Sequence, residues 1–216
     1  MSDEIRNKVK DSFIDSINVK QRILDQDLYQ VLLEAGEKIS ESIGKGGKLL
    51  LCGNGGSAAD AQHLAAEFLV RLTSDVNRES IPAIALAQDT STLTACINDY
   101  GSDEIFKRVF TAICSQEDIL LVITTSGNSR NILEVLQEAK KRDIYSLGFL
   151  GNEGGKALDY CDSAFIVPSD VTARIQEAHI TAGHALLQFI EDRLIETGWL
   201  NNCLLYTSPS PRDWMV

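Results

Sequence analysis

Residues 48–67 read KLLLCGNGGSAADAQHLAAE, and the order of residue types along them decides the fold. Leu49, Leu50 and Leu51 make an apolar run typical of a strand buried on both faces. Gly53, Gly55 and Gly56 then allow a tight turn with close backbone approach, and Ser57 is placed to cap a helix beginning there. A strand, a glycine turn and a helix open a βαβ unit whose free helix N–H groups face an anion. On that helix His63 and Glu67 stand four apart, so their side chains share one face.

The same alternation continues outward from this segment. Apolar runs predict strands at 48–52, 82–87, 118–124, 145–150 and 163–167, while helical spacing recurs at 57–71, 103–114, 129–141, 153–159 and 173–196. Two further helices precede the first strand, at 3–17 and 20–43, the second carrying Ile23, Leu28, Leu32, Ala35, Ile39 and Ile43 and stopped by Gly44, Gly46 and Gly47. Strand and helix in alternation predict an α/β fold, a doubly wound parallel sheet flanked by helices, with ligands beyond the strand C-termini.

A chain of 216 residues suits one substantial core, read as a single domain over 1–199. Its 44% apolar and 24% charged residues are those of a globular protein, and no apolar run is long enough to span a bilayer. The charged, amphipathic start MSDEIRNKVKDSF does not resemble a signal peptide. Five dispersed cysteines without a CxxC argue against a disulfide scaffold and fit a reducing cytoplasm. A net charge of −11 with scattered basic residues argues against a nucleic-acid partner. The stretch 200–216, holding Pro209 and Pro211 among serines without periodicity, reads as an irregular tail, non-native or disordered.

Beyond 48–67, three segments carry chemistry. Thr124-Thr125-Ser126-Gly127-Asn128-Ser129 ends a strand and begins a helix, offering four hydroxyls at the positive end of a helix dipole, a phosphate signal stronger than glycines alone. The helix from Arg174 presents Gln176, Glu177, His179 and His184. Gln176 and His184 are eight apart, roughly 80° in projection, and spacing alone does not choose between the two histidines. Asn98 and Asp99 fall in a loop beside Tyr100 and Gly101, which turn chemistry by itself explains. The 53–58 segment also touches the dinucleotide fingerprint as G-x-G-x-x-A, but the polar residues 71–80 supply no second strand ending in an acid. His63 with Glu67, taken alone, suits a surface hydrogen bond as well as a metal.

Together, CGNGGSAADAQHLAAE, the INDYG segment, TTSGNS and ARIQEAHITAGH resemble the sugar isomerase (SIS) family over residues 20–196, and within it the isomerases of seven-carbon sugar phosphates. The resemblance implies a flavodoxin-like sheet and a homotetramer packed through the amino-terminal helices. It implies substrate contacts from Asn54, Gly55, Gly56, Ser57, Arg71, Asn98 and Asp99, and phosphate contacts from Thr124, Thr125, Ser126 and Ser129. His63, Glu67, Gln176 and His184 match the family's zinc ligands, one ion per subunit, which favours His184 over His179. Glu67 and Gln176 also match substrate contacts, and Glu67 with His184 the family's acid and base pair. Ala173 stands where some members carry an acid, and Thr124 where serine also occurs.

The activity so implied converts sedoheptulose 7-phosphate to D-glycero-D-manno-heptose 7-phosphate through an enediol, which needs one group to take the proton and another to protonate the carbonyl oxygen. Two alternatives share the fold: an isomerase of a different sugar phosphate, and a non-catalytic SIS module similar to a DnaA-binding replication regulator. That regulator lacks the acid and the final histidine corresponding to Glu67 and His184.

Overall fold

A computed structural model of the chain describes residues 3–200 apart from Asp75 and Gln88, so the tail from Asn201 onward lies outside the described residues. Helices α1 (Asp3–Asp25) and α2 (Gln30–Gly44) come first. They are followed by β1 (Leu49–Gly53), α3 (Gly56–Leu69), β2 (Ala83–Ala85), α4 (Thr90–Tyr100) and α5 (Ile105–Ile113). Next come β3 (Ile119–Thr124), α6 (Arg130–Lys141), β4 (Ser146–Gly151), β5 (Ser163–Val167) and α7 (Thr172–Glu196), with short 3-10 turns at Ser102–Glu104 and Gly155–Asp159.

The five strands pair in parallel in the order β2-β1-β3-β4-β5, the flavodoxin-like arrangement. Side chains alternate across the sheet. Leu49, Leu51, Leu121 and Phe149 join a core with residues of α2, α3 and α7. Leu50, Cys52, Leu120 and Val122 join a second core with residues of α5 and α6. Because β1 sends its chain to β2 on one side while β3 pairs with it on the other, the order reverses between β1 and β3. The C-terminal ends of those two strands, at Gly53 and Thr124, therefore flank the crevice where such sheets bind ligands.

Strand positions agree with the sequence reading to within two residues, whereas several helix boundaries differ. The break in the amino-terminal helices falls at 26–29, with Asp27 at φ 53°, and not at 18–19. Nothing at Asn18 interrupts the helix, and Val19 and Ile23 extend α1 into the core. The pattern at 153–159 is only a 3-10 turn, and α5 begins at Ile105 rather than 103. Earlier along α1, Ile5, Val9, Phe13 and Ile17 form an exposed stripe at four-residue spacing. Among the described residues no helix is long and apolar enough to cross a membrane.

Candidate active site

The glycine turn and the hydroxyl loop face each other across the switch point. Gly55, at φ 55° and ψ −120°, is the N-cap of α3 and makes no side-chain cap, a backbone state suited to glycine. The sequence-based assignment of the cap to Ser57 is thus corrected: Ser57 lies inside the first turn and is buried, its N–H donating to the Asn54 carbonyl at 3.0 Å. Asn54 and Asn131 exchange two side-chain amide hydrogen bonds of 2.9 Å, linking the turn to the first turn of α6.

The hydroxyl loop is folded by its own side chains. Gly127 N–H donates to Thr124 Oγ1 at 3.2 Å, Asn128 N–H to Ser126 Oγ at 3.2 Å, and Asn128 Nδ2 to the Ser126 carbonyl at 2.7 Å. Ser129 is the N-cap of α6, yet its hydroxyl makes no capping bond, so the first-turn N–H groups have no side-chain acceptor. Thr124 is buried, Thr125 and Ser129 are half-buried and Ser126 is exposed. This is a cradle of hydroxyls and N–H groups without a fixed charge.

Helices α3 and α7 bring the other residues together. The two run side by side in the same direction, in contact at three levels. At the first, Gln176 Nε2 lies where a Cβ on Gly56 would meet it at 2.5 Å. At the second, Gly183 leaves room for Leu64, whose Cδ1 would stand 2.6 Å from an added Cβ. Beside that contact His63 Nε2 and His184 Nε2 are 2.9 Å apart, the rings at 80° to one another. Glu67 Oε1 is 3.6 Å from His63 Nε2. His63, Glu67 and His184 line one cleft of about 560 Å³ together with Leu72, Thr73 and Gln188. At the third, Arg78 of the segment after α3 bridges the two helices, paired with buried Glu191 of α7 and donating to the Glu67 and Phe68 carbonyls of α3.

Structure thus separates the two histidines that spacing left open. His179 is fully buried, its Nε2 3.0 Å from the Leu150 carbonyl, and burial pushes its pKa down to about 4. It is a neutral core residue, with Nε2 as the donor. His184 alone of the two reaches His63.

The donor chemistry of the cleft suits a zinc ion: two imidazole nitrogens directed at one another with a carboxylate beside them. Gln176, the fourth residue of the expected set, is not among the residues lining the cleft but lies against Gly56, nearer the glycine turn. Among the described residues, no three His, Cys, Asp or Glu side chains already stand at ligand spacing.

Other expected contacts lie apart. Asn98 and Asp99 are in the last turn of α4, not in a loop, because Asp89 caps that helix and it runs on to Tyr100. Asn98 Nδ2 donates to Asp99 Oδ1 at 2.7 Å, and Asp99 lines a separate groove with Tyr100 and Arg108. Arg71 is exposed just past α3. A larger cavity of about 900 Å³, between α1 and the loop from β5 to α7, holds none of the expected residues.

Sequence reasoning missed three residues that the site contains. Asp60 lies one turn before His63, its Oδ2 buried without a hydrogen-bond partner among the described residues. Burial raises its carboxyl above the usual range, and the neighbouring His63 and His184 oppose that rise. Its signal was available, three before His63 and seven before Glu67 on one helix face. Asn131 and Arg78 carried no comparable local signal.

The fold is that of an SIS domain, whose family model matches residues 12–151. A curated relative, the phosphoheptose isomerase of Thermodesulfovibrio yellowstonii, is 43% identical over 193 residues, covering 89% of this chain and 94% of the relative. The Chlorobaculum tepidum phosphoheptose isomerase is 46% identical over 177 residues, 82% of this chain and 84% of its own. The solved phosphoheptose isomerase of Neisseria gonorrhoeae superposes with a TM-score of 0.81 at 39% identity, covering 87% of this chain and 99% of that one. The chain belongs to the SIS-domain family, in its phosphoheptose isomerase branch.

Proposed function

We propose that this protein is an aldose–ketose isomerase converting sedoheptulose 7-phosphate to D-glycero-D-manno-heptose 7-phosphate, a step of heptose biosynthesis. The observation that carries the reading is the meeting of His63, Glu67 and His184 in one cleft, on the helices that also border the hydroxyl cradle. From Gly56 to His63 is about 10 Å along α3, on the scale of an extended seven-carbon sugar phosphate. The phosphate is held by Thr124, Thr125, Ser126 and Ser129 with Ser57 assisting, and Asn54, Gly55, Gly56 and Gln176 border the sugar chain. Carbons 1 and 2 then reach Glu67 and His184.

Isomerisation moves one proton between C1 and C2 and another between O1 and O2. Glu67 and His184, on opposite helices, serve as the acid and base pair: one takes the proton from C1 and delivers it to C2, while the other protonates the carbonyl oxygen O2 and recovers a proton from O1. His63, Glu67, Gln176 and His184 would hold a zinc ion, one per subunit. Bound there, it would supply Lewis-acid polarisation of the substrate carbonyl. Asn98, Asp99 and Arg71 are sugar contacts by resemblance only, since the single chain places Asp99 on a different groove.

The exposed stripe of Ile5, Val9, Phe13 and Ile17 supports a homotetramer packed through α1. Among the described residues Cys52, Cys96, Cys114 and Cys161 are free thiols, which supports a cytoplasmic setting. Turnover of sedoheptulose 7-phosphate by the purified protein, followed by separation of the two heptose phosphates, tests the assignment. Turnover of another sugar phosphate alone would replace the substrate, and no turnover of any would leave a binding module.

A further inference from the structure

We infer that Arg78 and Glu191 form a positioning pair that sets where Glu67 and His63 stand relative to His184. The inference rests on the isomerase reading above for the chemistry it affects, but its geometry does not. Both side chains are fully buried. Arg78 Nε donates to Glu191 Oε2. Its Nη2 donates to the carbonyl of Glu67 itself at 2.8 Å, and its Nη1 to the carbonyls of Phe68 at 2.9 Å and Glu79 at 3.0 Å. Those first two carbonyls belong to the last turn of α3, where no intrahelical donor remains. The guanidinium thus terminates the helix at the residue assigned as acid or base and ties it across to α7.

Glu191 lies seven residues beyond His184, two helical turns along nearly the same face. One planar fork therefore fixes the end of α3 against α7 just past the point where His63 meets His184. Arg78 also anchors the irregular segment after α3, and Leu72 and Thr73 of that segment form a wall of the cleft. Two features argue against a purely stabilising role. Glu191 Oε1 is buried with no hydrogen-bond partner among the described residues, so the pair is not the cheapest way to fill this space. Apolar side chains of similar volume commonly match or exceed a buried ion pair in stability. What they lack is a directed set of donors, which a guanidinium supplies in a rigid plane.

The test uses the intact protein and two kinds of variant. Arg78→Met combined with Glu191→Met fills the volume without charge, and Arg78→Lys keeps the charge but loses the fork. In each folded variant, kcat for sedoheptulose 7-phosphate is expected to fall at least tenfold. KM should stay within about twofold, because the hydroxyl cradle is untouched. The chain has only three histidines, so ¹⁵N-histidine spectra resolve each ring. His63 and His184 signals should shift while His179 keeps its own. Wild-type kcat with unshifted His63 and His184 signals in either folded variant overturns the inference, as does a rise in KM at unchanged kcat. Absence of turnover in the wild-type protein would instead overturn the isomerase reading, and the ring signals would still decide the positioning.

Discussion

The Nε2 atoms of His63 and His184 lie 2.9 Å apart although 121 residues separate them in the chain. At that distance one ring nitrogen carries a proton and the other offers its lone pair. The Glu67 carboxylate stands beside this contact, its Oε1 3.6 Å from His63 Nε2, so two imidazoles and a carboxylate face one cleft.

Removing either member of the proposed acid and base pair, Glu67 or His184, should remove most of the turnover. Glu67→Gln and His184→Gln are each expected to lower turnover of sedoheptulose 7-phosphate by roughly 10²- to 10⁴-fold. Circular dichroism should stay native, since both side chains face the cleft and not the core. Full activity in either variant would sink the assigned roles.

Metal content offers an independent check of the donor set. Elemental analysis of the purified protein should find zinc at one ion per chain, depleted by dialysis against a chelator. His63→Gln should retain less metal than His179→Gln, because only His63 lies in the cleft. Equal metal content in the two variants would speak against the cleft as the site.

His179 should make stability depend on pH. Its folded pKa of about 4 lies below the ordinary 6.5, because burial disfavours the charged ring. The unfolded chain therefore binds the extra proton between those values, so stability is full above pH 6.5 and falls as pH drops toward 4. The loss from this residue is about 3 kcal/mol. Urea unfolding at pH 7 and pH 4.5 should show it, and His179→Gln should flatten the difference.

The hydroxyl loop should be intolerant at Gly127. This residue sits at φ 63°, and a Cβ there would stand 1.9 Å from the Gly154 carbonyl oxygen. Backbone cannot yield as a side-chain end can, so Gly127→Ala is expected to cost about 3 kcal/mol or more. A thermal midpoint within two or three degrees of wild type would contradict that packing.

Association through α1 should be broken by charge. Phe13→Glu with Ile17→Glu places two carboxylates on the exposed stripe. Light scattering should report a tetramer for the wild type and smaller species for the double variant. A monomeric wild-type mass would exclude the arrangement.

The sheet was readable because its signals are local. Apolar runs such as 119–124 and the punctuating glycines predict strands wherever they occur, and a parallel order follows from their alternation with helices. His63 and Glu67 were likewise legible as a pair, since four residues is one helical turn. The helix boundaries were less so: α1 passes 18–19 because its partner surface in the core, not its own composition, keeps Val19 and Ile23 helical. Asn98 and Asp99 belong to α4 for a local reason, the cap that Asp89 supplies upstream of them.

By itself, then, the sequence determined the fold class, the glycine turn, the hydroxyl loop and the residue types of both halves of the site. Spacing left His179 and His184 open and the family resemblance favoured His184. Only the tertiary structure places His179 in the core and His184 against His63, buries Asp60 Oδ2 near them, and brings Asn131 and Arg78 to the site. Each of these depends on how α3 crosses α7 or how two loops meet at the switch point. Such contacts join residues from 77 to 121 positions apart, and no periodicity within one helix or strand encodes them.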